Sequence, residues 1–225
     1  MFAIHQNDTA DFATDARYRD RNWAKHRKDP AFDGFTYEHA AEFMSYDGKR
    51  FPRAVVFEHF AHSDRMGIIS AIKWGYPKGS LPGGRWNAFS TAFRSDKLVE
   101  HIQALRANPR PASETIAYLN SCIDGLGTAT TTKIAHFAGL VTSNGQRCMI
   151  YDSMVRRAIR AKDYPEFNEL AAIIRRSDRD LTPKQQEQTY GLYLDGLHRI
   201  ADATGATPDA VELTLFLAGR EEAPL

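Results

Sequence analysis

Apolar residues recur every three or four positions through most of this chain, and this spacing limits the folds that it can form. Such spacing places apolar side chains on one face of an α-helix, whereas a half-buried strand needs them at every second position. Alternation of the second kind is hard to find beyond a short stretch around residues 55–57. We therefore expect an all-α fold.

The periodicity, combined with residues that start helices, predicts where the helices lie. Thr182–Pro183 and Thr207–Pro208 each place a hydroxyl at the N-cap and a proline at the first helical position. The predicted helices cover residues 36–46, 53–62, 64–74, 85–94, 96–107, 112–123, 130–141, 152–162, 166–176, 183–203 and 208–219.

A chain of 225 residues can build one large core or two small lobes. We expect one helical domain over residues 1–225. A division into an N-terminal lobe, 1–84, and a second lobe, 85–225, with a cleft between them, would fall at residues 75–85. These residues are rich in glycine and proline and are predicted to form an exposed loop.

The composition, with 43% hydrophobic and 25% charged residues, is that of an ordinary globular protein. A net charge of +1 excludes a protein that grips nucleic acid by bulk positive charge, although a local basic face remains open. No apolar stretch resembles a signal peptide or a membrane span, so we expect no membrane contact and a cytoplasmic location. Cys122 and Cys148 provide neither a disulfide framework nor a metal-ligand set, so no metal and no cofactor are expected.

The most informative segment, residues 118–137, predicts a helix, a tight turn and a second helix. Gly125 and Gly127 permit positive φ angles and close backbone approach, and Leu126 between them can fill the angle between the helices. Amides at the start of the second helix, from Thr128 onward, suit a phosphate oxygen. A hairpin of this kind can hold a DNA backbone without reading its sequence, although such turns also simply connect helices in all-α proteins.

Two residues after this turn are candidates for catalysis. Lys133 lies in the first turns of the second helix, and Asp152 begins the next helix after a loop and a short apolar segment, 148–151. Each has an ordinary explanation when taken alone, because helix lysines are commonly solvated and aspartate is a good N-cap.

Together these features resemble the helix–hairpin–helix DNA glycosylases, and within them the lysine-bearing 8-oxoguanine type. In that group a Gly-apolar-Gly hairpin leads to Lys-apolar-Ala, and an aspartate later opens the next helix. Lys133-Ile134-Ala135 matches the second element, and Asp152 follows the lysine by 19 positions, as in the family. The resemblance covers roughly residues 115–160.

Two departures from the family pattern stand out. Five residues, Thr128 to Thr132, separate Gly127 from the lysine where the family has one, which predicts a longer hairpin. The chain also lacks iron–sulfur cysteines and has Ser153 after the aspartate, which separates it from the endonuclease-III-like branch.

The resemblance implies a DNA glycosylase with AP lyase activity that acts, as a monomer, on double-stranded DNA carrying a damaged base, with 8-oxoguanine as the expected substrate. Asp152 would stabilise positive charge at the sugar carbon, and Lys133 would attack that carbon to form a Schiff base. The function would then be base excision repair.

A flipped base needs a pocket with aromatic or apolar walls. The resemblance places Phe137, one turn after Lys133, in that wall, and Trp74, Trp86 and Phe216 are further candidates, although each also fits a core position. Basic residues that follow Asp152 could contact phosphates or form a solvated face; they are Arg156, Arg157, Arg160, Lys162, Arg175, Arg176 and Arg179.

Three other interpretations stay open. One is a non-catalytic helix–hairpin–helix module in which Lys133 contacts a phosphate. Another is a glycosylase that acts on modified bases of foreign DNA, such as a substituted pyrimidine of a phage. The third is a helical protein-interaction domain that carries the motif by coincidence.

Overall fold

A computed structural model describes Ile4, Thr9, Phe12 and residues 51–76, 86–177 and 180–222, without the side chains of Trp86 and Asn87. The predicted helix at 36–46, most of the predicted loop at 75–85, and Arg179 lie outside these residues. The proposed lobe boundary also falls there, so the division into lobes stays a prediction.

Within the described ranges the chain forms ten α-helices and one 3-10 helix, and the all-α prediction is confirmed. Extended pairing in these ranges is limited to a single antiparallel bridge between Val141 and Arg147. The α-helices are α1 (Arg53–His62), α2 (Asp64–Gly75), α3 (Trp86–Arg94), α4 (Asp96–Ala107), α5 (Ala112–Asn120), α6 (Thr128–Phe137), α7 (Ser153–Ala161), α8 (Asn168–Arg175), α9 (Pro183–Thr204) and α10 (Pro208–Glu221), and the 3-10 helix, Pro165–Phe167, precedes α8.

The helix starts predicted from capping residues are confirmed. The Thr182 hydroxyl accepts a hydrogen bond from the Gln185 amide, and the Gln185 side chain reaches back to the Thr182 amide, which completes a capping box at α9. The Thr207 hydroxyl accepts from the Ala210 amide at the start of α10.

The predicted bounds of the helix after the glycine turn, 130–141, are wrong. The Gly127 carbonyl accepts from the amides of Thr130 and Thr131 at 2.8 and 3.1 Å, so α6 begins two residues earlier, at Thr128. It ends at Phe137, and Gly139 follows with a φ of +67°. The residues that appeared to lengthen the hairpin therefore form the first turn of α6 and continue to the lysine.

Two buried helices form the centre of the fold. In α2 every residue from Met66 to Trp74 is buried, and in α6 the buried residues include four threonines. Helix α2 packs against α1, α3 and α6, and α7 packs against α10. The last contact is so close that a Cβ built on Gly219 of α10 would lie 1.8 Å from the carbonyl oxygen of Met154, so a side chain there would displace α7.

Among the described residues, no helix combines the length and the apolar character that crossing a membrane requires.

Candidate active site

The turn between α5 and α6 has the geometry that its glycines predict. Gly125 has a φ of +83°, which L side chains rarely adopt, and Leu126 is buried in the core beneath the turn. Gly127 is the N-cap of α6 and has no side chain that could bond to the helix. The first amides of α6 therefore lack both a helical carbonyl partner and a capping side chain.

Thr128 faces the protein rather than the surface. Its hydroxyl accepts a hydrogen bond from the Asn120 side-chain amide at 3.2 Å, and that amide also donates to Glu187 of α9 at 2.5 Å. The Thr131 hydroxyl donates to the other end of Asn120, its Oδ1 atom, at 2.5 Å. These bonds hold α5, α6 and α9 together, and Thr128, predicted as a phosphate contact, is only 1% exposed.

Lys133 and Asp152, predicted from the sequence as a pair, lie together. The Lys133 Nζ atom donates to Asp152 Oδ2 at 3.3 Å and to the Ala129 carbonyl at 3.2 Å. The two side chains are 10% and 13% exposed, so both are largely shielded from water yet still open to it. The pair can therefore meet a ligand without being fully solvated.

The two oxygens of Asp152 have different partners. Oδ1 accepts from the amides of Met154 and Val155 at 3.0 and 3.2 Å and so caps α7. Oδ2 faces the lysine. The ordinary N-cap role and the contact with Lys133 thus coexist, because each uses a different atom.

The extended residues before Asp152 are held by tyrosines of α9. The Tyr190 hydroxyl accepts from the Met149 amide at 2.9 Å and donates to the Met149 carbonyl at 2.8 Å, while the Tyr193 hydroxyl donates to the Ile150 carbonyl at 2.7 Å. Burial raises the pKa of Tyr190 and of Tyr193 well above the usual value, so both hydroxyls stay protonated and can donate.

The end of α2 forms one wall beside the lysine. A Cβ built on Gly75 would lie 3.0 Å from Lys133 Cδ and 3.3 Å from its Cε. The next residue, Tyr76, makes a hydroxyl–hydroxyl hydrogen bond to Thr130 of α6 at 3.2 Å. The absence of a side chain at Gly75 therefore leaves room for the extended lysine.

Three of the residues predicted for a base pocket have described side chains, and these belong to one aromatic cluster. They are Trp74, Phe137 and Phe216. The rings of Trp74 and Phe137 meet edge-on with centroids 5.2 Å apart, and both residues are buried. Phe216 is partly buried and meets Phe12 at 5.7 Å, and Phe12 also contacts Trp74 at 6.4 Å. Trp86 is the first residue of α3, but its side chain lies outside the described part of the chain.

A buried ion pair that the sequence did not reveal lies beside this aromatic cluster. Arg53 Nη2 donates to Glu212 Oε2 at 2.5 Å, and the Arg53 guanidinium lies 5.3 Å from the Phe12 ring and 5.4 Å from the Trp74 ring. Burial raises the pKa of Glu212 to about 7, against the opposing effect of the Arg53 charge. The only sequence signal was a charged residue among the apolar residues of each helix.

Several of the basic residues after Asp152 are engaged by the protein itself. Arg156 is buried and donates two hydrogen bonds to Asp180, at 2.7 and 2.5 Å, and one to the Tyr151 carbonyl. Lys162 pairs with Glu222 at 2.7 Å. Arg160 and Arg175 donate to backbone carbonyls. These four cations therefore have structural partners among the described residues.

The all-α fold, with a largely buried lysine after a glycine turn and an aspartate at the next helix start, has the arrangement that the resemblance to DNA glycosylases predicted. The family model described as "Putative 8-oxoguanine DNA glycosylase OGG-like protein" matches residues 12–216, which include both residues of this pair. The protein belongs to this family, and the resemblance recognised in its residues is confirmed. Membership of this family indicates a DNA-glycosylase type of function and DNA binding. Comparison with curated proteins and with solved structures gave no match.

Proposed function

We propose that this protein flips a damaged base out of double-stranded DNA, releases it, and then cuts the strand through a Schiff base on Lys133. The observation that carries this proposal is the 3.3 Å contact between Lys133 Nζ and Asp152 Oδ2 in a site that is mostly shielded from water. Oxidised guanine is the substrate to test first, because the family description names 8-oxoguanine.

Asp152 supplies negative charge where the reaction develops positive charge. Breaking the N-glycosidic bond makes the sugar carbon C1′ oxocarbenium-like, and a fixed carboxylate nearby lowers the energy of that state. The two amides of α7 fix Oδ1 before any substrate arrives, which leaves Oδ2 as the oxygen that acts on the sugar and on the lysine. The N-cap geometry therefore supports catalysis by pre-orienting the carboxylate.

Lys133 supplies the nucleophile. The Lys133 ammonium first gives a proton to solvent water, so Asp152 stays ionised, and the Nζ–C1′ bond then forms as the bond from C1′ to the base breaks. The base leaves with that electron pair and takes up a proton. Nζ then loses a further proton to water, and the C1′–O4′ bond breaks as O4′ takes up a proton, which gives the Schiff base. Removal of a C2′ proton then expels the 3′ phosphate by β-elimination.

The turn before α6 provides the grip on the DNA backbone. Helix N-termini attract anions because their first amides lack partners and carry part of the helix dipole. Gly127, which is partly exposed, stands at such a terminus, with no side-chain cap in competition. A phosphate bound there would lie at the start of the helix that carries Lys133.

Borohydride trapping tests the proposal. The wild-type protein and the Lys133→Gln variant are incubated with duplexes that carry 8-oxoguanine, other oxidised bases or substituted pyrimidines, and both base release and covalent adduct are measured. We expect release and an adduct in the wild type and neither in the variant. Release without an adduct would contradict the lyase step, and DNA binding without release would favour a non-catalytic module.

Two other lysines serve as controls. Lys97 is exposed on α4, and Lys97→Gln should leave trapping unchanged. Lys73 is, with Lys133, one of the two lysines buried among the described residues, and burial lowers its pKa well below the usual value. An adduct that survives Lys133→Gln and disappears in Lys73→Gln would show that the nucleophile has been assigned to the wrong residue.

A further inference from the structure

We propose that Thr132 is a positioning residue that sets the distance between Lys133 and Asp152, an inference that rests on the proposed function. Thr132 directly precedes the lysine, and Tyr151 directly precedes the aspartate. The Thr132 hydroxyl accepts a hydrogen bond from the Tyr151 amide at 3.1 Å. One bond therefore joins the two chain segments that carry the pair, at the residue next to each member.

The surroundings of this bond favour a fixed geometry. Thr132 and Tyr151 are both fully buried, so water does not compete for the bond. The Thr132 hydroxyl donates to the Ala129 carbonyl at 3.3 Å, which directs an oxygen lone pair toward Tyr151. The same carbonyl accepts from Lys133 Nζ at 3.2 Å, so Ala129 aligns the threonine and the lysine together.

Other contacts hold the segment before Asp152 but do not replace this one. Tyr190 and Tyr193 bind residues 149 and 150 from α9, which carries neither Lys133 nor Asp152. His136 of α6 contacts the Cys148 carbonyl at 3.2 Å, four residues before the aspartate. The Thr132 bond is thus the link between α6 and this segment that lies nearest the pair.

Removing the hydroxyl should affect chemistry more than binding. Thr132→Val keeps the branched side chain but leaves the buried Tyr151 amide without its partner, so the Asp152 segment can shift relative to Lys133. Small errors in placement near reacting atoms lower rates strongly, so we expect base release at saturating DNA to slow by about tenfold or more. The DNA dissociation constant should stay within about twofold, because Thr132 is fully buried and so makes no contact of its own with a ligand at the surface.

Single-turnover base release and DNA affinity are measured for the wild type, Thr132→Val, Thr132→Ser and Thr115→Val. Serine restores the hydroxyl and should recover most of the rate. Thr115 is an equally buried threonine on α5 whose hydroxyl donates to the Arg110 carbonyl, so Thr115→Val controls for general loss of stability. The proposal would be overturned if Thr132→Val released the base as fast as the wild type or Thr115→Val. It would also be overturned if Thr132→Ser were as slow as Thr132→Val.

A second measurement needs no variant. The amide hydrogen of Tyr151 in the wild type should exchange slowly with solvent. Fast exchange would show that the bond to Thr132 does not persist. That result would overturn the proposal even if Thr132→Val does not fold. The Lys133→Gln protein, assayed in parallel, separates the two claims. If the wild type releases no base from any duplex, the proposed function and this inference are both wrong. If the wild type is active and Thr132→Val releases the base at the same rate, only this inference is wrong.

Discussion

Lys133 Nζ and Asp152 Oδ2 lie 3.3 Å apart, while the second oxygen of the same aspartate caps α7. The carboxylate thus has one oxygen that serves the fold and one that faces the proposed nucleophile. A substitution that removes the whole side chain would disturb both roles at once. A substitution that keeps a capping oxygen and removes the charge would separate them.

Asp152→Asn should slow base release strongly while keeping the cap of α7. Asparagine caps helices as well as aspartate does, so the Oδ1 bonds to Met154 and Val155 can form, but no negative charge faces the sugar. We expect base release to slow by about a hundredfold or more. Single-turnover kinetics measure the rate, and urea denaturation measures the free energy of unfolding.

Asp152→Ala is the matched comparison, because it removes the charge and the cap together. It should be as inactive as Asp152→Asn and, in addition, less stable by about 1 kcal/mol. Full activity in the asparagine variant would show that Asp152 acts only as a helix cap.

Gly75→Ala should impair catalysis through the lysine. The added Cβ would lie 3.0 Å from Lys133 Cδ, which is tighter than most real Cβ contacts, so the lysine chain must give by a few tenths of an ångström and its amine would shift relative to Asp152. Base release should slow by about fivefold or more, since reaction rates are sensitive to such displacements. Trapping yield and release rate are the measurements.

Gly191→Ala controls for the substitution itself. The new Cβ on α9 would meet Ala112 at 3.9 Å, an ordinary contact, so activity should be retained. Equal rates for both alanine variants and the wild type would mean that the lysine does not need the space beside Gly75.

The helix starts that carry a capping threonine and a proline could be predicted from local signals, and the missed start of α6 has a local cause. Capping threonines with a following proline placed the starts of α9 and α10 at the observed residues. The start of α6 was missed because Gly127 offers no capping side chain, and the run of threonines after it has low helix propensity. Burial of those threonines in tertiary contacts overrides that propensity.

The site could be predicted only where its residues are close in sequence. The spacing from Lys133 to Asp152 was readable, whereas Arg53 and Glu212 are 159 positions apart and meet only after folding. Gly75 is not distinguishable by sequence from other glycines, because the lysine that needs its space arrives from a different helix. Such contacts depend on tertiary packing, which no local pattern encodes.

Gly125→Ala should weaken DNA binding. Its φ of +83° lies in a region that alanine rarely adopts, so the turn that presents the first amides of α6 would distort. Gly205→Ala is the control, because Gly205 has a φ of +69° at the end of α9 and no neighbour near the added Cβ. Both variants should lose similar stability, but only Gly125→Ala should lose affinity for undamaged duplex. Equal DNA affinities of Gly125→Ala and Gly205→Ala would show that the turn does not contact DNA.

Glu212→Gln should change how stability depends on pH. Burial raises the pKa of Glu212 to about 7 in the folded protein, from 4.5 ordinarily, so the folded chain keeps a proton that the unfolded chain has lost. The contribution of this group to stability is therefore fully present below about pH 4.5 and is lost as the pH rises through about 7. Urea denaturation at pH 5, 6, 7 and 8 should show the wild type losing free energy of unfolding relative to Glu212→Gln, which cannot titrate. Glu100→Gln, at an exposed carboxylate on α4, controls for the change of charge. A wild-type-to-variant difference that stays constant with pH would mean that Arg53 keeps Glu212 ionised throughout this range.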